Sequence, residues 1–324
     1  MSFIVGTTLL AVVTALACAL PGAFVVLRRN SMLVEGIAHA VLPGIVVGYA
    51  LTRDLSSPWL ILGAALAGLV VVLCNEWLVR TGLLAGDAPQ GLVFPALFAA
   101  GVILISVDFN HVHLHTEVVL VGDLNLAAFQ QLVVNGVSLG PRYLYVMLAV
   151  LLSNVAFIGV FYSQLKVSTF DPEFASVMGL RTGLLNTAFM FLVSVTVVTA
   201  FHAAGALLVI SLLVVPAATA HLICHRLSVM LALTAVFAIV GALCGFWIAY
   251  MLNAATSAGM ALLYGFMFVS VAVIDAAATK IRRRRRTEGE ALAEDASGPG
   301  PQRSDDGEVP AIAIRDAAAK AAAE

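Results

Sequence analysis

Two groups of side chains in this sequence have the types and the spacing to hold a metal ion. Glu35 and His39 stand four residues apart in an otherwise apolar run. On a helix such a pair projects from one face. A carboxylate and an imidazole together suit manganese, iron or zinc, because nitrogen and oxygen ligands accept all three. An ionisable group inside a long apolar run is expensive and faces a protein interior or a pathway. Two milder roles fit the same residues: a carboxylate drawn to the positive end of a helix, and a hydrogen-bonded buried histidine. The second group is His111, His113, His115 and Glu117, which alternate along the chain. In an extended segment their side chains share one face, since the strand period is two. Three imidazoles and a carboxylate could capture a divalent ion there, and a solvated polar loop is the alternative. His221 and His225, again four apart, end an apolar run, where they suit the negative end of a helix dipole.

Other chemistries are missing from the sequence. GxxxxGK[ST] does not occur, so the chain has no P-loop cradle for ATP phosphates. HExxH does not occur either, and Glu35-x-x-x-His39 lacks the two-histidine zinc geometry of a metalloprotease. Cys18, Cys74, Cys224 and Cys244 lie singly in apolar runs, without metal-type spacing, and read as small buried hydrophobes.

The elements that must position these groups follow from composition. Of 324 residues, 61% are apolar and only 11% charged. A soluble domain needs more charge than this to cover its surface. The apolar residues fall in runs near twenty residues long, the length a bilayer asks of a helix. Alternating ten-residue segments are absent, which argues against an outer-membrane barrel. The expected fold is therefore an all-α integral membrane protein, a polytopic helical bundle of about nine spans. These lie at 3–27, 32–51, 58–79, 91–107, 143–165, 183–201, 204–224, 229–250 and 257–278. The first run lacks a basic leader and reads as a retained span. Small residues such as Gly63, Gly68, Gly205, Ala217 and Ala218 allow close helix packing. The mixed stretch 108–142 reads as a loop with an interfacial or re-entrant helix, closed by Asn135-Gly136 and Gly140-Pro141 turn signals.

Basic residues near span ends are unevenly shared. Arg28, Arg29, Arg80, Lys166, Arg181, Arg226, Lys280 and the run Arg282–Arg286 fall in one set of connections, and only Arg53 and Arg142 in the other. Positive charge marks the cytoplasmic side. With nine spans the N-terminus is expected outside and the C-terminus in the cytoplasm of a bacterial cell membrane. The 108–142 loop is then external and the 166–182 connection cytoplasmic. The transmembrane domain is expected over 1–279. Over 280–324 the arginine run acts as a stop-transfer and lipid anchor, followed by a disordered acidic tail. That tail offsets the basic loops, so the net charge of −2 carries no information. Nothing points to nucleic acid as a partner.

The connection after the fifth span contains a short helix with its own start and stop chemistry. Asp171 can cap it and Pro172 suits its first position. Glu173 complements the dipole, and Gly179 suits the left-handed residue that ends it. Phe174, Val177 and Met178 share one face. An apolar face outside the membrane needs cover, from a groove on a separate protein or from the chain's own spans or lipid.

Phe170 to Gly179 resembles the segment that docks the ATPase in the zinc/manganese/iron permease family of ABC importers. Gly22 through Ser31, with Glu35 through Gly44, resembles that family's N-terminal signature, and Leu207 to Ala220 its seventh-span signature. Phe94 to Phe98, His113 to Glu117 and Gly122-Asp123 resemble the manganese/iron/zinc branch. The resemblance covers roughly 15–275, in order. It implies a transport subunit with no ATPase site of its own and no permanently bound cofactor, its cargo being a divalent manganese, zinc or iron ion. It implies three protein partners: a cytoplasmic ATP-binding subunit, a second permease subunit (identical or a paralogue), and an extracytoplasmic metal-binding protein. It places Glu35 and His39 in the translocation path, where the family usually has an aspartate and a histidine; Glu35 keeps the ligand type and lengthens its reach. The family more often has an acidic residue where His115 stands. An ion-gradient carrier is the rival in another class, but the paired Gly/Pro breaks in two halves that would mark it are not evident. A permease for iron chelates or cobalamin is the nearest alternative within the ABC class; the short chain and the 113–117 block argue against it.

Overall fold

The computed structural model describes residues 3–52, 58–84, 88–108, 124–134, 137–224 and 226–296. Helices carry almost all of it: α1 (Phe3–Leu27), α2 (Ser31–Thr52), α3 (Pro58–Thr81), α4 (Ala88–Asp108), α5 (Leu124–Phe129), α6 (Arg142–Phe170), α7 (Pro172–Val177), α8 (Thr182–Ala204), α9 (Ala206–Ile223), α10 (Leu227–Met251) and α11 (Thr256–Ala296). Among the described residues, eight helices are long and apolar enough to cross a membrane. The predicted span 91–107 lies within α4, whose apolar described stretch Ala88–Leu104 is shorter.

Helices α1 and α2 are the most enclosed. Helix α1 packs on α6, α9 and α10, while α2 packs on α3 and α4, and α3 continues onto α8. Lipid tails are as apolar as leucine, so such contacts rest on close fit and on satisfied polar groups. Pro21 in α1 lacks the N–H that would close on the Ala17 carbonyl. Asn154 of α6 takes that place: its Nδ2 donates to Ala17 O at 2.9 Å and to Thr196 Oγ1 of α8 at 3.0 Å. Three helices are thereby tied at one buried point. Ser194 of α8 similarly donates to Ala65 O of α3 at 2.9 Å.

Contacts define two ends of the bundle. At one, the Phe3 and Phe129 rings are 4.8 Å apart, and Asn125 Nδ2 donates to Thr256 Oγ1 at 2.7 Å. At the other, Arg28 bonds to Ser168, Thr169 and Asn186.

Three features differ from expectation. The stretch after 123 contains, besides α5, an antiparallel ribbon of β1 (Gln131–Val134) and β2 (Val137–Pro141), with Gln131 opposite Pro141 and an irregularity at Leu132/Val133. Apolar residues on both sides of Asn135-Gly136 form a hairpin signal. Helix α6 runs five residues past its predicted end at 165, directly into the Asp171 cap, because Lys166 to Phe170 contain no breaker. Helix α11 continues to Ala296 through a stretch expected to be disordered beyond the arginines; Arg, Glu and Ala are strong helix formers. The chain divides into two compact units, Met1–Asp275 and Ala276–Glu324.

Candidate metal path and coupling segment

Helix α2 is positioned by close contacts with both neighbours. A Cβ on Gly44 would lie 2.7 Å from the Gly63 carbonyl oxygen, and one on Gly101 of α4 would lie 3.0 Å from Pro43 Cα. Neither place has room for a side chain, so the rotation of α2 between α3 and α4 is set by backbone contact. That rotation leaves Glu35 and His39 half-buried, one turn apart on one face.

The His39 ring is held by aromatic walls. It stacks on Phe94 with centroids 5.4 Å apart and planes 21° from parallel, and meets Phe98 edge-on at 5.7 Å. Phe94 and Phe98 are four apart on α4, so one face supplies both. These walls restrict the ring without using either ring nitrogen. Pro43, four residues on, removes the N–H that would otherwise close on the His39 carbonyl. Among the described residues the Glu35 carboxylate has no hydrogen-bond or ion-pair partner; the salt bridge seen is Arg80–Glu76 at 2.7 Å. Also among the described residues, no group of three or more His, Cys, Asp or Glu is gathered as a metal site. Glu35 and His39 therefore offer two side-chain donors, with further ligands left to water, the backbone or a second chain.

The other sequence-predicted groups are scattered or undescribed. His111, His113, His115 and Glu117 lie outside the described residues, as does His225. His221 is exposed at the end of α9. His202, at the end of α8, stacks on Tyr143 with centroids 5.5 Å apart. The cysteines are unpaired thiols.

The 170–180 segment closes both of its ends with its own hydrogen bonds. Asp171 Oδ1 accepts from Phe174 N at 2.9 Å, and Pro172 occupies the first turn beside Glu173. At the far end Gly179 N donates to Ser176 O at 3.0 Å and Leu180 N to Ala175 O at 3.2 Å. This paired closure requires a left-handed residue, and Gly179 has φ +74°. Helix α7 is only Pro172–Val177, so Met178 and Gly179 belong to its closing turn. Ala175 alone is buried; Phe170 is 56%, Phe174 53%, Val177 84% and Met178 60% exposed. Among the described residues nothing covers this apolar face.

Arg28, legible in the sequence as a topology charge and as part of the 22–31 signature block, anchors the base of that segment. Its Nε donates to Thr169 Oγ1 at 3.1 Å, its Nη2 to Ser168 Oγ at 3.2 Å, and its Nη1 to Asn186 Oδ1 at 2.7 Å. The guanidinium also lies 5.1 Å from the Phe189 ring centroid. Burial pushes its pKa down to about 10, which leaves it cationic at neutral pH.

Comparison with known proteins agrees with this architecture. Residues 1–275 match the ABC 3 transport family. The chain is 41% identical over 263 residues to the zinc transport system membrane protein TroD of Treponema pallidum, covering 81% of this chain and 71% of that protein. It is 37% identical over 276 residues to the manganese transport system membrane protein MntD of Bacillus subtilis, covering 85% and 93%. PsaBC from Streptococcus pneumoniae, solved in complex with Fab, superposes with a TM-score of 0.68 at 25% identity, over 84% of this chain and 91% of that one.

Proposed function

We propose, from the premise that this chain belongs to the ABC 3 transport family, that it is the multi-pass permease subunit of an ATP-driven importer of divalent transition-metal ions. The observation that carries this reading is the extended similarity to membrane proteins named for zinc and for manganese transport. The ion is substrate, not a resident cofactor.

Glu35 and His39 act as transient ligands. A half-buried carboxylate with no cationic partner among the described residues is open to an arriving divalent ion. Two donors per chain bind weakly enough for release. A second permease subunit facing the first supplies the remaining ligands along a shared path. The Phe94 and Phe98 walls fix the imidazole, so little ordering accompanies each binding event. Within 111–117 the three histidines and Glu117 serve the outer mouth, by capturing the ion or contacting an external metal-binding protein.

The open face of Phe174, Val177 and Met178 docks a cytoplasmic ATP-binding subunit, whose closure switches the path from outward to inward access. This orientation follows the skewed arginines and lysines, with the N-terminus outside and the C-terminus inside. The test is purification of the full chain from its own membranes. A soluble ATPase should accompany it in stoichiometric amount. Its absence, together with uptake that collapses when ion gradients are dissipated, would point to a secondary carrier.

A further inference from the structure

Arg28 joins three parts of the chain that the transport cycle must move together. Its guanidinium donates to the hydroxyls of Ser168 and Thr169, in the last turn of α6 ahead of the Asp171 cap, and to the amide oxygen of Asn186 on α8. All three bonds span at least 140 residues of chain. None involves a carboxylate, so the fork is held by neutral acceptors and by the face of Phe189. A planar guanidinium presents five donors on three nitrogens in a fixed fork, whereas an ammonium has three donors on a single nitrogen and cannot span acceptors set this far apart in one plane.

The turn on which Arg28 stands is stiff and leads directly into α2. Arg29 N donates to Val26 O and Asn30 N to Val25 O, both at 3.0 Å, the same paired closure that ends α7. Arg29 fills its left-handed position with φ +57°, where glycine is usual. Leu33 N then donates to Asn30 O at 3.1 Å, so α2 starts within the turn itself. Glu35 lies on the next turn and His39 one turn beyond.

We infer that Arg28 is a positioning residue for coupling: it transmits displacement of the 168–180 segment, through the rigid 28–30 turn, to the face of α2 that carries Glu35 and His39. The inference rests on the importer reading. It explains a half-buried cation with three side-chain partners in a place where a surface topology charge would need none. Breaking the fork leaves both the docking face and the metal face intact but disconnects their motions.

The measurement is the number of metal ions imported per ATP hydrolysed, in vesicles holding the full chain with its ATPase and delivery protein. Arg28→Ala should lower that ratio on the order of tenfold, within the range by which residues between coupled sites alter coupling. Arg28→Lys, which keeps charge but loses the fork, should fall between Arg28→Ala and the unaltered chain. Where Arg28→Ala fails to assemble, Asn186→Ala and the pair Ser168→Ala with Thr169→Val decide, since they remove the acceptors and leave the cation; both should lower the ratio. An unchanged ratio in these variants overturns the inference. So does a fall in uptake and hydrolysis together, in step with the amount of assembled complex. Absence of ATP-dependent uptake by the unaltered chain is a different failure, because it removes the importer reading and the inference with it.

Discussion

In the first turns of α2, Glu35 and His39 are polar groups set among apolar neighbours, one of them with no partner among the described residues. At the end of α6 the situation is reversed: Phe174, Val177 and Met178 are apolar groups left open on a segment that is capped at both ends by its own hydrogen bonds. The two regions also differ in how they are held. Helix α2 is fixed by backbone contact at Gly44 and by Gly101 set against Pro43, whereas α7 is fixed by its own caps. The contrast teaches what each region lacks. An uncovered carboxylate and a clamped imidazole call for a cation, while an uncovered apolar face calls for a protein surface.

The largest expected effect breaks the first half of this contrast. Glu35→Ala and His39→Ala should each abolish metal uptake while the protein reaches the membrane in normal amount. Normal uptake in either variant would remove that residue from the path. A charge on the second region should act next most strongly. Val177→Asp or Phe174→Asp places a carboxylate in the docking face, where anchor side chains contribute about 2 kcal/mol or more. Recovery of the ATPase in pull-downs should fall by more than tenfold. Thermal stability of the isolated permease should hardly change, since exposed substitutions shift it by about 0.5 kcal/mol or less. A large loss of stability would mean that this face packs on the chain itself.

A smaller effect sharpens the difference in how the regions are held. Asp171→Ala removes the carboxylate that accepts from Phe174 N and should weaken α7 by about 1 kcal/mol. Hydrogen exchange at the Phe174 amide should speed up roughly fivefold for that energy, with exchange in α2 unaffected. Unchanged exchange at Phe174 would show that α6 and α8, not the cap, hold the segment.

What was legible in the sequence follows from distance along the chain. Span lengths and the start and stop of α7 depend on neighbouring residues, so apolar run length and the Asp171-Pro172…Gly179 pattern expose them. The aromatic walls around His39 are on another helix. Phe94 and Phe98 show the right i, i+4 spacing, but nothing local says that they meet α2. The role of Arg28 is hidden for the same reason, because its partners lie 140 to 158 residues away. The Asn154 bond to Ala17 is similar, although Pro21 announces a carbonyl that something must satisfy. The β1–β2 ribbon was readable from Asn135-Gly136, yet its strands are too short for a membrane-length pattern to reveal them.

The most direct measurement follows manganese or zinc entry into vesicles that contain the full chain, its soluble ATPase and the external delivery protein. ATP is supplied only on the side where residues 171–179 are accessible to labelling. The account predicts metal accumulation that requires ATP on that side, stops with Val177→Asp, and is lost with His39→Ala. Accumulation driven by an ion gradient in the absence of ATP, or a 171–179 segment labelled only on the side from which metal enters, would contradict it.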